Sequence, residues 1–152
     1  MKLIIHTDGG ARGNPGPAAV GVVIEVCQCV SVSVCQEKKR KEVVSFGRRI
    51  GETTNNVAEY TAVAEALKSI KDKVLSIKEN TEKLEIEFYL DSTLVVNQLN
   101  GLFKVKDGRL QELLMGVRQL EQEVGGVIRY QYVPREQNTR ADFLVNQALD
   151  SR

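Results

Sequence analysis

The 152-residue chain has 21 basic and 20 acidic residues and is 42% hydrophobic and 27% charged, the composition of one ordinary globular domain, 1–152, with enough bulk to bury a core. No apolar run approaches the roughly 20 residues of a membrane span, and the stretch before Asp8 is too short for a secretory leader, so a cytoplasmic, non-membrane monomer is expected. A net charge near zero argues against a polyanion binder acting through bulk charge; basic residues concentrate only at Lys38-Lys39-Arg40-Lys41 and Arg48-Arg49.

In chain order, Lys2 to Asp8 reads as a buried strand ending in an acid, and Gly9 to Pro17 as a Gly- and Pro-rich loop. From Ala18 to about Gln36, Val20, Val22, Ile24, Val26, Val30, Val32 and Val34 fall on even positions, while the odd positions include Glu25, Ser31 and Ser33. That period of two predicts one long half-buried strand. The polar block Glu37 to Glu42 reads as a turn and Val43 to Ile50 as the antiparallel return.

Thr53-Thr54-Asn55-Asn56 offers helix-start chemistry, with Glu59 three residues after Asn56 in the capping-box position. The helix runs to about Ile70, and Lys71 to Lys83 is its frayed end and a connection. Leu84 to Asp91 alternates as a strand; Ser92–Leu99 and Gly108–Glu123 read as helices, Val127–Val133 as the last strand and Arg140–Leu149 as a closing helix. The order β-β-β-α-β-α-α-β-α predicts an α/β domain with a mixed sheet.

Cys27, Cys29 and Cys35 lie close together, but their odd number and the distance to His6, the single histidine, fit neither a zinc site nor a disulfide framework. They are expected as reduced strand residues.

Four carboxylates occupy strand ends and helix starts: Asp8 after the first strand, Glu59 in the first turn of a helix, Asp91 at the end of the fourth strand and Asp142 at the start of the last helix. In an open α/β sheet such positions meet at one edge, where ligands bind. Singly, each has a structural explanation as turn residue, cap or helix-dipole acid. Together they match what hard divalent cations need, since oxygen ligands hold Mg²⁺, and two ions about 3.5–4 Å apart clamp an in-line phosphoryl displacement.

Four sequence blocks carry a closer likeness. Thr7-Asp8-Gly9-Gly10 with Gly13-Asn14-Pro15-Gly16-Pro17, Thr54-Asn55-Asn56-Val57-Ala58-Glu59, Leu90-Asp91-Ser92, and Asn138-Thr139-Arg140-Ala141-Asp142 followed by Leu144, Asn146 and Ala148 stand in the order found in the type 1 ribonuclease H family. The chain resembles that family along nearly its whole length. The resemblance implies a mixed five-stranded sheet, three strands antiparallel and then parallel, flanked by helices. It also implies a two-metal endonuclease that cuts the RNA strand of RNA–DNA hybrids with Mg²⁺, for which Mn²⁺ can substitute. Asp8 would bridge both ions, Asp142 would complete the nucleophile side, and Glu59 and Asp91 the leaving-group side. Asn14, Asn55 and Asn56 match residues that meet the hybrid's minor groove and its 2′-hydroxyls, and Thr54 matches a residue that holds a DNA-strand phosphate. Another nuclease of the same fold, such as a resolvase or exonuclease, and a non-catalytic hybrid-binding module are the alternatives.

The chain departs from the family pattern in three places. Thr93 stands where many members have Gln, no Trp- and Lys-rich basic helix is present, and the loop Pro134-Arg135-Glu136-Gln137-Asn138 lacks the frequent His. His6, two residues from Asp8 on the same strand face, reads as an ordinary strand histidine. The Cys27–Glu42 hairpin is longer than the family needs, and its basic tip is either a solvated turn or a substitute grip on nucleic acid.

Overall fold

The computed structural model describes residues 1–27, 39–74 and 83–151. Strands β1 (Lys2–Ala11), β2 (Gly16–Cys27) and β3 (Arg40–Thr53) form an antiparallel meander; β4 (Glu85–Leu90) and β5 (Val127–Tyr132) then add in parallel, giving the sheet order β3-β2-β1-β4-β5. Helix α1 (Asn55–Ser69) runs on into a π-helical turn at Ile70–Val74; α2 (Thr93–Leu99), α3 (Gly108–Val124) and α4 (Thr139–Asp150) complete the domain. Both the mixed five-stranded sheet and the element order agree with the expectation from sequence.

Alternation sorts the strands between two faces. Leu3, Ile5, Val22, Ile24 and Phe88 bury one face beneath α1 and α3, joining Tyr60, Val63, Leu67 and Val117 in the main core. Helix α4 covers the other face over β1 to β3, with Val145 and Leu149 on Ala19. Glycines set how closely these layers approach. A Cβ at Gly9 would lie 2.2 Å from the Ala58 carbonyl carbon, and one at Gly21 or Gly47 would lie 2.2 Å from the carbonyl oxygen of Ala141 or Leu144. The first turns of α1 and α4 therefore press directly on the strands beside Asp8, which no larger residue would permit.

Several boundaries differ from the sequence reading. β1 continues through Gly9 and Gly10 to Ala11, and β2 begins at Gly16, because the two strands stay paired across Asp8↔Gly21 up to Ala11↔Ala18. The meander leaves a loop of four residues where nine were expected. Arg40, Lys41 and Glu42 are in β3, paired with Cys27, Val26 and Glu25, and so are not turn residues. The expected continuation of β2 to Gln36 and Lys38 of the basic tip lie outside the described residues. Cys27 is disulfide-bonded, which corrects the expectation of three reduced thiols; Cys29 and Cys35 lie outside the described residues.

The helix start is also revised. Thr54 is the N-cap of α1, its hydroxyl accepting from Val57 N at 3.3 Å. Glu59 is thus the fifth helical residue, two positions past the third where a capping box needs its acid, and it is buried at 7% exposure. Its carboxylate serves no cap.

Candidate active site

The C-terminal ends of β1 and β4 and the starts of α1, α2 and α4 surround a cleft of about 590 Å³, into which Asp8, Glu59, Asp91 and Asp142 all project. One oxygen from each of Asp8, Glu59 and Asp91 lies within 4.8 Å of the others. Asp142 stands against Asp8, close enough to share a hydrogen bond and to raise its pKa, but is not part of the mutual 4.8 Å cluster.

This crowding is electrostatically costly. Burial, followed by the charges of Asp91 and Asp142, pushes the Asp8 carboxyl up to about 8. Burial and the charges of Asp8 and Asp91 likewise hold Glu59 well above the usual carboxylate range, while the Arg135 guanidinium works in the opposite direction. Glu59 Oε2 is buried without a hydrogen-bond donor. An acceptor of this kind is expensive unless something positive approaches it. Three clustered carboxylates, two with raised pKa values and one with an orphaned oxygen, fit a divalent cation better than any arrangement of protein donors.

Neighbouring groups fix the acids in place. Gly9 N donates to Asp8 Oδ1 at 3.0 Å. Asn138 is 1% exposed, and its Nδ2 donates to Thr7 O at 2.9 Å and to Asp91 Oδ2 at 3.4 Å. One buried amide therefore joins β1, the end of β4 and the start of α4. Ser92 caps α2 by accepting from Val95 N, leaving Asp91 free of that duty.

The other expected site residues divide into two groups. Asn55 and Asn56 line the cleft. Asn14 stands behind them, accepting from Asn55 N at 3.0 Å, while Asn55 Oδ1 accepts from Ala11 N at 2.9 Å. Thr54 is occupied as the α1 cap. Thr93 also lines the cleft.

His6 does not join the acids. It stacks on Tyr89 with ring centroids 5.2 Å apart and lines a separate, larger cavity of about 670 Å³ beneath the Val133–Arg140 segment. His6 and Asp8 follow each other at a spacing of two on β1, yet they line different cavities. Three residues of the cleft escaped the sequence reading as participants: Arg12, Arg135 and Asn146. The missing loop histidine pointed to the place of Arg135, and Asn146 belongs to the closing sequence block, but nothing in the pattern marked Arg12. Pairing of β1 with β2 and of β2 with β3 sets Arg40 and Lys41 at the opposite end, since Cys27 is level with Lys2 and Arg40 while the cleft is level with Asp8. Six residues of strand separate them, about 20 Å.

Comparison with known proteins agrees with this geometry. A family model described as reverse transcriptase-like matches residues 6–148. The structure of LC11-RNase H1 in complex with an RNA/DNA hybrid is similar at 40% identity and a TM-score of 0.80, covering 97% of this chain and 96% of that one. RNase H1 from the archaeon Halobacterium salinarum is 36% identical with a TM-score of 0.78, covering 99% of this chain and 98% of that one. A bifunctional protein of Mycobacterium tuberculosis is 37% identical over 151 residues, 99% of this chain, which spans only 36% of that relative's length. With a family model matching nearly the whole chain, and relatives 36–40% identical with the same fold along its whole length, the chain belongs to the type 1 ribonuclease H family.

Proposed function

We propose that this chain is an endonuclease that hydrolyses the RNA strand of RNA–DNA hybrids, with Mg²⁺ as its working ion and Mn²⁺ able to substitute. The observation that carries the reading is the clustering of Asp8, Glu59 and Asp91 within 4.8 Å, with Asp142 against Asp8, in a cleft that Asn55 and Asn56 also line. The LC11 neighbour was solved with an RNA/DNA hybrid, which supports the same substrate here.

Asp8, Glu59, Asp91 and Asp142 would hold the cations. When bound, a cation pair supplies an activated hydroxide and stabilises the leaving oxygen of a phosphodiester. The chain's own residues do the rest. Asp8, fixed by Gly9 N, and Asp91, fixed by Asn138, present oxygens already oriented, so little ordering remains at the moment of reaction. Asn55, held by its bonds to Asn14 and Ala11, and Asn56 beside it offer amides to a 2′-hydroxyl in the minor groove. Thr54, at the start of α1, serves a DNA-strand phosphate. The protein acts as a monomer in the cytoplasm; among the described residues no helix is long and apolar enough to cross a membrane.

A gel comparing end-labelled RNA–DNA hybrid, duplex DNA and single-stranded RNA tests the reading. Cleavage confined to the RNA of the hybrid is expected. Comparable cutting of duplex DNA would instead make the chain a different nuclease of this fold, and hybrid binding without cleavage a recognition module.

A further inference from the structure

A cleft with four carboxylates has to admit a polyanion, yet among its lining residues only Arg12 and Arg135 are cationic. Arg135 acts on Glu59. Arg12 sits elsewhere, in the turn between β1 and β2 beside Asn14, with its side chain 48% exposed. Its Nη1 lies 2.7 Å from Oδ1 of Asp150, and its Nη2 donates to Oδ1 of Asn146 at 3.5 Å. Asp150 is the last residue of α4. A carboxylate there meets the negative end of the helix dipole, so Arg12 is what makes the position favourable.

A guanidinium fork grips a carboxylate and a phosphate by the same geometry, and an exposed ion pair is weak enough to exchange partners. We propose that Arg12 contacts a backbone phosphate of the bound hybrid and that Asp150 is its built-in competitor, occupying the fork until the phosphate displaces it. The proposal rests on hybrid cleavage being the chain's reaction. It gives the cleft a graded entry step: substrate must win Arg12 from α4 before it settles on the acids.

Michaelis constants for hybrid cleavage by Arg12→Ala, Asp150→Asn and the double variant, each at several salt concentrations, test it. Arg12→Ala should raise KM about fivefold, the scale of one exposed charge contact. It should also flatten the slope of log KM against log salt by nearly one unit. Asp150→Asn should lower KM about two- to threefold by the same weak-pair reasoning, and the double variant should behave as Arg12→Ala alone. A pure clamp between the turn and α4 predicts something different, namely that both single variants shift KM in the same direction and lose the same melting temperature. That pattern, or an unchanged salt slope in Arg12→Ala, overturns the proposal. Wild-type turnover of hybrid in the same assay reads the function separately: its absence overturns both, whereas intact turnover with matched KM shifts overturns only the role of Arg12.

Discussion

Asp8→Asn should stabilise the metal-free protein while removing its activity. The Asp8 carboxyl is 7% exposed, and burial with the neighbouring acids pushes it up to about 8 from its ordinary 3.8. Between those two values the unfolded chain has released its proton while the folded chain retains one, so folding takes up a proton and stability falls as pH rises. Below about pH 4 both states are protonated and the penalty vanishes; above about pH 8 it is complete. At 1.36 kcal/mol for each tenfold in acidity, the upper bound is about 6 kcal/mol. Water entry and relaxation of the open cleft reduce this to about 2 kcal/mol, or roughly 4–8 °C in Tm for a domain of this size. Asparagine keeps the acceptor for Gly9 N and carries no charge. Thermal denaturation in EDTA from pH 4 to pH 8.5 should give curves for wild type and variant that converge near pH 4 and separate steadily toward pH 8. Added Mg²⁺ should restore most of the wild-type deficit and little of the variant's. Parallel pH curves, or a variant less stable than wild type at pH 8, would refute the claim that mutual repulsion and burial dominate this site.

Four further outcomes follow from the same geometry. Arg135→Ala should move the acidic limb of the rate–pH profile upward, because the guanidinium lowers the Glu59 pKa and its loss lets that carboxyl bind protons at higher pH; an unmoved limb separates Arg135 from Glu59. Asn138→Ala should cost about 1–3 kcal/mol in denaturant unfolding and also slow cleavage, since its amide holds both Thr7 O and Asp91; a stability loss with full activity would show that Asp91 needs no such support. Thr54→Ala should cost about 1 kcal/mol through the lost α1 cap, read as a lower denaturation midpoint. Replacing Lys39 and Lys41 by Ser should leave the salt slope unchanged, since β3 begins about 20 Å from the acids; a flatter slope would instead place nucleic acid across that end of the sheet.

The fold was readable where hydrophobic period is strong. The alternation of β2 and the helical period of α1 fixed element type, and the strand-end positions of Asp8 and Asp91 predicted their convergence. Boundaries failed where pairing overrode local chemistry: Gly9 and Gly10 look like loop residues but are strand, because Gly9 must have no side chain against Ala58. Glu59 looked like a cap partner because Asn56 is a good cap residue, but Thr54 wins that role and frees the acid for the cleft. Gly21 and Gly47 carried no visible purpose in sequence; their role is the approach of α4, which depends on contacts distant along the chain. Arg12 was invisible for the same reason, since Asp150 and Asn146 reach it only through the fold.

The most direct test of the account is the initial rate of RNA-strand cleavage in an end-labelled RNA–DNA hybrid, titrated with Mg²⁺, for wild type and Asp8→Asn side by side. The four-carboxylate cleft predicts wild-type cleavage that rises with Mg²⁺, is abolished by EDTA, and falls below about one per cent when Asp8 loses its charge. An Asp8→Asn variant that retains a sizeable share of the wild-type rate at saturating Mg²⁺, with the fold intact, would contradict it.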